Sequence, residues 1–413
     1  KEEFIPEQSY ENARAATQQY ISENLGVDPA ASEVLSESIR VFKEFQDALV
    51  THYIEQFESR KKSQDYFLLI LNGWSEHQAT QTRDLKKMPH QIDPRIFSEG
   101  FENTEGGYFI RWQGKGIAVN PGRQFLDSLH RSGLSVRDID FVVVTRQNPE
   151  AFEDVKAIHQ INYKLNAVKS DRLHLINYYL HQNAYRYLGS DLKANFKQEK
   201  NSVHCLDFYL DSPELEKVTL FEGCVLQYFP TTLSEINLKK GKEEEEKLQG
   251  ALGVKFELTH ENTHIRIGYL SGTGWTPYLA SYLGGCDVLI TGLEYVNKND
   301  YEKVKYHEDA LGYYGSISLL EEIAPRLLLC CEFGGEEGDI RLEVVHKMRK
   351  EFTPTTSRAT TILPGDHGLS IDLLRFEINC SVTGVPVDPS KIHVVKTQDA
   401  FGKLLYLSSK TFI

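Results

Sequence analysis

The sequence predicts a layered α/β fold preceded by a helical N-terminal extension. Three observations carry that expectation. Between Gly107 and Glu150 two strands, a Pro-Gly turn, a helix and a short buried strand follow one another. Between His264 and Glu332 the alternation of buried strand and amphipathic helix recurs twice. Residues 1–62, by contrast, show only helical spacing. Short β-branched runs separated by amphipathic helices are the pattern of sheets covered by helices.

Composition narrows the class before any motif is read. A chain of 413 residues can bury a large core. Its 46 basic and 59 acidic residues give a formal charge of -13, which argues against nonspecific attraction to a phosphate backbone. With 21 Tyr and 21 Phe the chain is too aromatic for general disorder. No apolar run is long enough to cross a bilayer. Six Cys at 205, 224, 286, 330, 331 and 380 form no Cys-x-x-Cys pair, and several sit in apolar runs where reduced Cys acts as a small hydrophobe. A reducing, cytoplasmic setting is the simplest expectation. The chain opens on Lys1 without an initiator Met, as trimming, including loss of a targeting peptide, would leave it.

In chain order, Tyr10 to Asn24 reads as a helix ended by Asn24-Leu25-Gly26. Leu35, Ile39, Phe42, Phe45, Leu49, Tyr53 and Phe57 then recur at steps of three and four on one face of a longer helix that Ser32 or Ser36 can cap. That stripe either packs on its own domain or meets a protein partner or a second copy of this chain. Tyr66 to Leu71 is the first strand, and residues 72–77, with His77, form the loop behind it. Residues 78–106 read as a long polar excursion. Tyr108–Trp112 and Gly116–Val119 make a hairpin that Asn120-Pro121-Gly122 stops. A helix with Phe125, Leu126 and Leu129 on its apolar face ends at Gly133, and Phe141–Val144 is a strand buried on both faces. Ala151 to Asn166 is the next helix.

Residues 167–215 are read as a probable insertion, with strand-like runs at 173–180 and 203–210. Their His174, His181 and His204 show no ligand spacing and read as structural. Val218 to Phe229 forms two strands around Glu222-Gly223, and Lys239 to Lys247 is a charged, solvated loop. His264–Ser271 is a strand running into the tight turn Gly272-Thr273-Gly274. A helix over Leu279–Leu283 and a strand over Asp287–Ile290 follow. Next come His307, a loop through Gly315, a helix over Ser316–Ile323, a strand over Leu327–Cys331 and a helix over Asp339–Phe352. Thr361–Leu363 leads to the turn Pro364-Gly365-Asp366-His367-Gly368, and Leu369–Ile378 reads as one strand.

The stretch from Gly107 to Glu150 resembles the metallo-β-lactamase superfamily. There a strand ends in Asp, a Pro-Gly turn and helix follow, and a buried strand ends in Thr-His-x-His-x-Asp-His. Here Asn120 stands in place of that Asp, Arg146 and Asn148 in place of the first two His, Glu150 in place of the second Asp and Ala151 in place of the last His. The third metal His would fall at Thr231 or Thr232 and the bridging Asp at Gly272. The final His corresponds to His307 or Ala310 by register. Only Glu150 and His307 keep ligand chemistry, and a guanidinium has no lone pair to offer a cation. The resemblance implies an αββα sandwich over residues 63–413, and a dismantled metal centre within it.

The function implied is a catalytically inactive member acting as a binding or structural subunit of a protein complex, for instance in bacterial defence or signalling, with a partner on the N-terminal helices and no cofactor. Its remnant pocket would be lined by Arg146, Asn148, Glu150, Thr273, His307, Asp366 and His367. Arg146 there would be suited to an anionic or nucleotide ligand. The alternative is a zinc-dependent phosphodiester hydrolase with a relocated site built from Glu150, His307, Asp366 and His367. No Ser, Cys or Lys stands in a recognisable nucleophile setting.

Overall fold

The structure is a computed structural model. It describes residues 66–71, 73–74, 107–146, 149–168, 173–195, 197, 199–206, 216–231, 251–294, 296, 304, 306–308, 310–334, 339–352, 359–397 and 403–412, together with position 40. The expected N-terminal helices, the 78–106 excursion and the 239–247 charged loop lie outside the described residues.

The first sheet grows from the hairpin of β2 (Tyr108–Trp112) and β3 (Lys115–Val119), paired antiparallel with Tyr108 opposite Val119. Its turn residues Gln113 and Gly114 have φ of 50° and 73°, the two positive values that match a tight turn to the twist of a hairpin. β1 (Phe67–Ile70) lies antiparallel to β2 on one side. On the other, helix α1 (Phe125–Arg131) carries the chain over to β4 (Phe141–Val144), which runs parallel to β3 and is buried along its whole length. Two further helices, α2 (Pro149–Phe152) and α3 (Val155–Val168), lead to β5 (Asn177–His181), and α4 (Gln182–Leu192) leads to β6 (Val203–Leu206). Both strands add in parallel, so much of the stretch read as an insertion continues the sheet.

The second sheet begins with the hairpin β7 (Glu216–Phe221) and β8 (Cys224–Pro230), turning at Gly223, where φ is 85°. β9 (Leu252–His260) follows, then β10 (Thr263–Leu270), antiparallel to it. Helices α5 (Pro277–Leu283), α6 (Gly312–Ile323) and α7 (Arg341–Glu351) alternate with the strands β11 (Val288–Gly292), β12 (Leu327–Cys331) and β13 (Thr361–Pro364), which add in parallel to β10.

Two elements differ from expectation. α6 starts at Gly312, inside the stretch read as a loop. Gly312 has φ of 59°, and a Cβ there would lie 2.7 Å from the His307 ring, so this glycine joins loop to helix where a side chain would not fit. The single strand expected over Leu369–Ile378 is a hairpin of β14 (Ser370–Asp372) and β15 (Glu377–Asn379). Asp372 Oδ1 accepts from the backbone N–H of Leu374 and Arg375, both at 2.9 Å, and that side-chain turn ends the strand. β16 (Pro386–Val387) completes this edge of the first sheet. A last hairpin, β17 (Ile392–Lys396) with β18 (Leu404–Ser408), and the short helix α8 (Ser409–Phe412) follow.

Three apolar clusters reveal the layers. Ile70, Ile110, Ile117, Phe256, Ile267 and Leu329 belong to the core between the two sheets. Phe125, Leu129, Val142, Ile158 and Leu188 fill the space between the first sheet and helices α1, α3 and α4. Leu279, Leu283, Leu289, Leu320, Leu328 and Val344 do the same between the second sheet and α5 to α7. Helix, sheet, sheet, helix is the αββα order that the resemblance implied. Among the described residues no helix is long and apolar enough to cross a membrane.

Candidate functional site

Strands β3 and β4 of one sheet run parallel to each other, as do β10, β11 and β12 of the other, and they bring their carboxyl ends to a common place, the usual position for a site in layered α/β folds. The two sheets are tied together there: Leu252 N–H donates to Thr145 O at 2.8 Å, and Arg146 bridges Ala251. The residues just beyond these strands are Asn120, Thr145, Arg146, Ser271, Glu294 and Glu332.

Arg146 is their centre. Its Nη1 donates to Glu294 Oε1 at 2.6 Å and its Nη2 to Glu332 Oε2 at 3.3 Å, and the three side chains are only 10–12% exposed. Ser271 Oγ hydrogen-bonds Glu332 Oε2 and Glu294 Oε1, and accepts from Arg146 Nη1 at 3.3 Å. The remaining Glu332 oxygen accepts from Tyr108 at 2.8 Å and Tyr269 at 2.9 Å. Burial, and then the neighbouring Glu332 charge, push both phenols well above their ordinary value, so they remain neutral donors. Asn120, at a φ of 49°, joins the same network. Its Nδ2 donates to Thr145 Oγ1 at 2.9 Å and Tyr269 Oη at 3.1 Å, while its Oδ1 accepts from Thr145 N at 2.8 Å. A continuous run of hydrogen bonds thus passes from β4 through Asn120, Tyr269 and Glu332 back to Arg146.

The other expected pocket residues that are described make contacts of their own. Asp366 belongs to a second buried ion cluster, with its Oδ2 3.0 Å from Arg341 Nη1 and accepting from Leu404 N at 2.9 Å. Arg341 also pairs with Asp339 at 2.9 Å and lies over the Trp74 ring at 4.1 Å. Burial opposes its charge, but Asp339 and Asp366 outweigh that and hold the guanidinium above its usual value. His367 reaches Ser128 O in α1 with its Nε2 at 3.3 Å, and burial lowers its affinity for a proton. Thr273 is fully buried in its turn and donates to Gly274 O at 3.1 Å, while the His307 ring lies beside Gly312. Asn148 and the Glu150 side chain lie outside the described residues. Thr231, read as a lost ligand position, is buried and donates to Ala251 O at 2.9 Å. His174 bonds Ile139 O at 2.7 Å, His181 caps α4 and His204 stacks on Tyr179.

Sequence reading singled out Arg146 but missed its partners Ser271, Glu294, Glu332, Tyr108 and Tyr269. A signal for two of them exists: Glu294 and Glu332 are acidic residues within two positions of the ends of buried parallel strands.

The residues at this end do not fit a family-type metal centre. The position that the resemblance reads as the first His carries a permanent cation, Arg146, and Glu294 and Glu332 are turned onto it. Among the described residues no three His, Cys, Asp or Glu side chains are grouped so as to hold a metal.

Fold and site together define an αββα sandwich with a guanidinium-carboxylate cluster at its strand ends. No family model matches the chain, and no curated protein does. Similar solved structures include the metallo-β-lactamase fold protein YhfI from Bacillus subtilis, at 12% identity and a TM-score of 0.47 over 74% of this chain and 98% of that one. A diphosphatase of the PhnP family is 13% identical, with a TM-score of 0.46 over 74% and 96% of the two chains. The short form of human tRNase Z is 10% identical, with a TM-score of 0.46 over 74% and 99%. These are likenesses of chain path and carry no argument about activity.

Proposed function

We propose that this chain is a catalytically inactive metallo-β-lactamase-like protein that works as a binding or structural subunit of a protein complex. The observation that carries the reading is Arg146: its guanidinium, at the position the resemblance reads as the first metal ligand, is held by Glu294 and Glu332. Hydrolysis on this fold needs several protein donors on a metal and an open position for water. A charge already satisfied by two carboxylates is also a poor receptor for an anionic ligand, so partner recognition is assigned to the protein surface, with the N-terminal segment as its proposed site. The relocated hydrolase site gains no support, because Asp366 is engaged by Arg341 and Leu404, and His367 by Ser128.

Two measurements test this. Protein purified without chelators should hold less than about a tenth of an equivalent of transition metal by mass spectrometry, and show no turnover of a phosphodiester with added zinc or manganese. A stoichiometric metal together with turnover, both lost in His307→Ala or His367→Ala, would overturn the proposal. For the binding role, a stoichiometric protein partner should co-purify with the full chain and be lost when residues 1–62 are removed. Retention of that partner would move the binding surface elsewhere.

A further inference from the structure

We infer that Arg146 is the resident cation of the strand-end site, taking the place of a metal ion in holding Glu294 and Glu332 together, and that its removal turns the site into one for a divalent cation. The inference rests on the reading of the chain as metal-free and deepens it. β11 and β12 pair through Gly292 opposite Cys331, so the two carboxylates follow adjacent parallel strands and carry like charge side by side. A cation between them makes that arrangement favourable, and Arg146 supplies it through two separate nitrogens, Nη1 and Nη2. Ser271, from the end of β10, touches both carboxylates and the guanidinium.

The backbone is shaped for this convergence. A Cβ at Gly292 would lie 2.5 Å from Ser271 Oγ and 2.9 Å from Glu332 Oε2, so a glycine is required for the carboxylate and hydroxyl to meet. Tyr108 and Tyr269 hold the other oxygen of Glu332 and fix its orientation. With the guanidinium removed, the space it filled would be faced by Glu294, Glu332 and Ser271. All are oxygen donors, which select hard ions such as manganese or magnesium over the softer sites that zinc prefers.

The test is titration of Mn²⁺ into wild type, Arg146→Ala, Arg146→Lys and the double variant Arg146→Ala/Glu332→Gln, read by loss of the free-ion electron paramagnetic resonance signal. Arg146→Ala is expected to bind one Mn²⁺ per chain at least about tenfold more tightly than wild type, about 1.4 kcal/mol. Arg146→Lys should behave as wild type because the ammonium keeps the charge, and the double variant should lose the site. Should Arg146→Ala be unfolded alone, Mn²⁺ is expected to restore its near-ultraviolet circular dichroism. An Arg146→Ala chain that neither binds Mn²⁺ more tightly than wild type nor refolds with it overturns the inference and leaves the proposed function standing. A stoichiometric metal in the wild type, by contrast, would sink that proposal first.

Discussion

At the scale of single residues, the value of Arg146 depends on what it leaves behind when removed. Two carboxylates only 10–12% exposed would then lose the guanidinium that bridges them. Loss of one partner from such a buried pair costs about 3–5 kcal/mol. Arg146→Ala in metal-free buffer should therefore lower the unfolding free energy by about that much in urea titration. Arg123, whose pairing with Glu153 is 41% and 44% exposed, is the control: Arg123→Ala should change stability by about 0.5 kcal/mol or less. Equal effects of the two substitutions would show that the strand-end cluster is no tighter than an ordinary surface pair. Gly312 makes a sharper steric point. Its φ of 59° and the His307 ring 2.7 Å from a built Cβ both oppose a side chain, so Gly312→Ala should destabilise by at least about 1–2 kcal/mol, measured by the shift in urea midpoint.

At the scale of elements, the strands that sequence reading located well are those whose identity is local. β2 and β4 fall at Tyr108–Trp112 and Phe141–Val144 as expected, because short β-branched and aromatic runs bounded by turn residues leave little choice. β9 went unread although Val254, Phe256 and Leu258 alternate with Lys255, Glu257 and Thr259. Its polar members made the run look mixed, yet Lys255 is itself buried, donating to Tyr282 O at 2.8 Å. The covered face includes a lysine stem that hydropathy alone scores as solvent-exposed. β14 and β15 were merged because Leu369 to Ile378 is apolar enough to read as continuous, and only the Asp372 turn divides it. The helix α6 was shortened for the converse reason. Gly312 and Gly315 are unfavourable in a helix by intrinsic propensity, but packing decides here, and Tyr313 is fully buried with its hydroxyl 2.6 Å from Glu351.

At the scale of the whole molecule, pH tests how the layers are closed. His130, His159 and His367 all have their proton affinity lowered by burial. Their unfolded forms take up a proton at about 6.5, the folded forms only at lower pH, so the stability they support is present above about 6.5 and is lost as pH falls below it. Asp154 acts oppositely: burial raises its value, so its contribution favours the folded state toward acid and offsets part of that loss at lower pH. Urea midpoints should thus fall between pH 7.5 and 5.5, and a His367→Gln variant should show a shallower fall. An unchanged midpoint across that range would show that these imidazoles titrate alike in both states. By itself the sequence determined the layers, since apolar period and turn residues are local properties that survive without a partner in view. It also singled out Arg146, which the resemblance to a metal-binding family puts in the place of a His. Only the tertiary structure decided what that arginine does: its partners Glu294 and Glu332 are 148 and 186 residues away, and they reach it only because separate parallel strands end at one place. Side-chain convergence of that kind depends on how two sheets pack, and no local pattern in the chain encodes it.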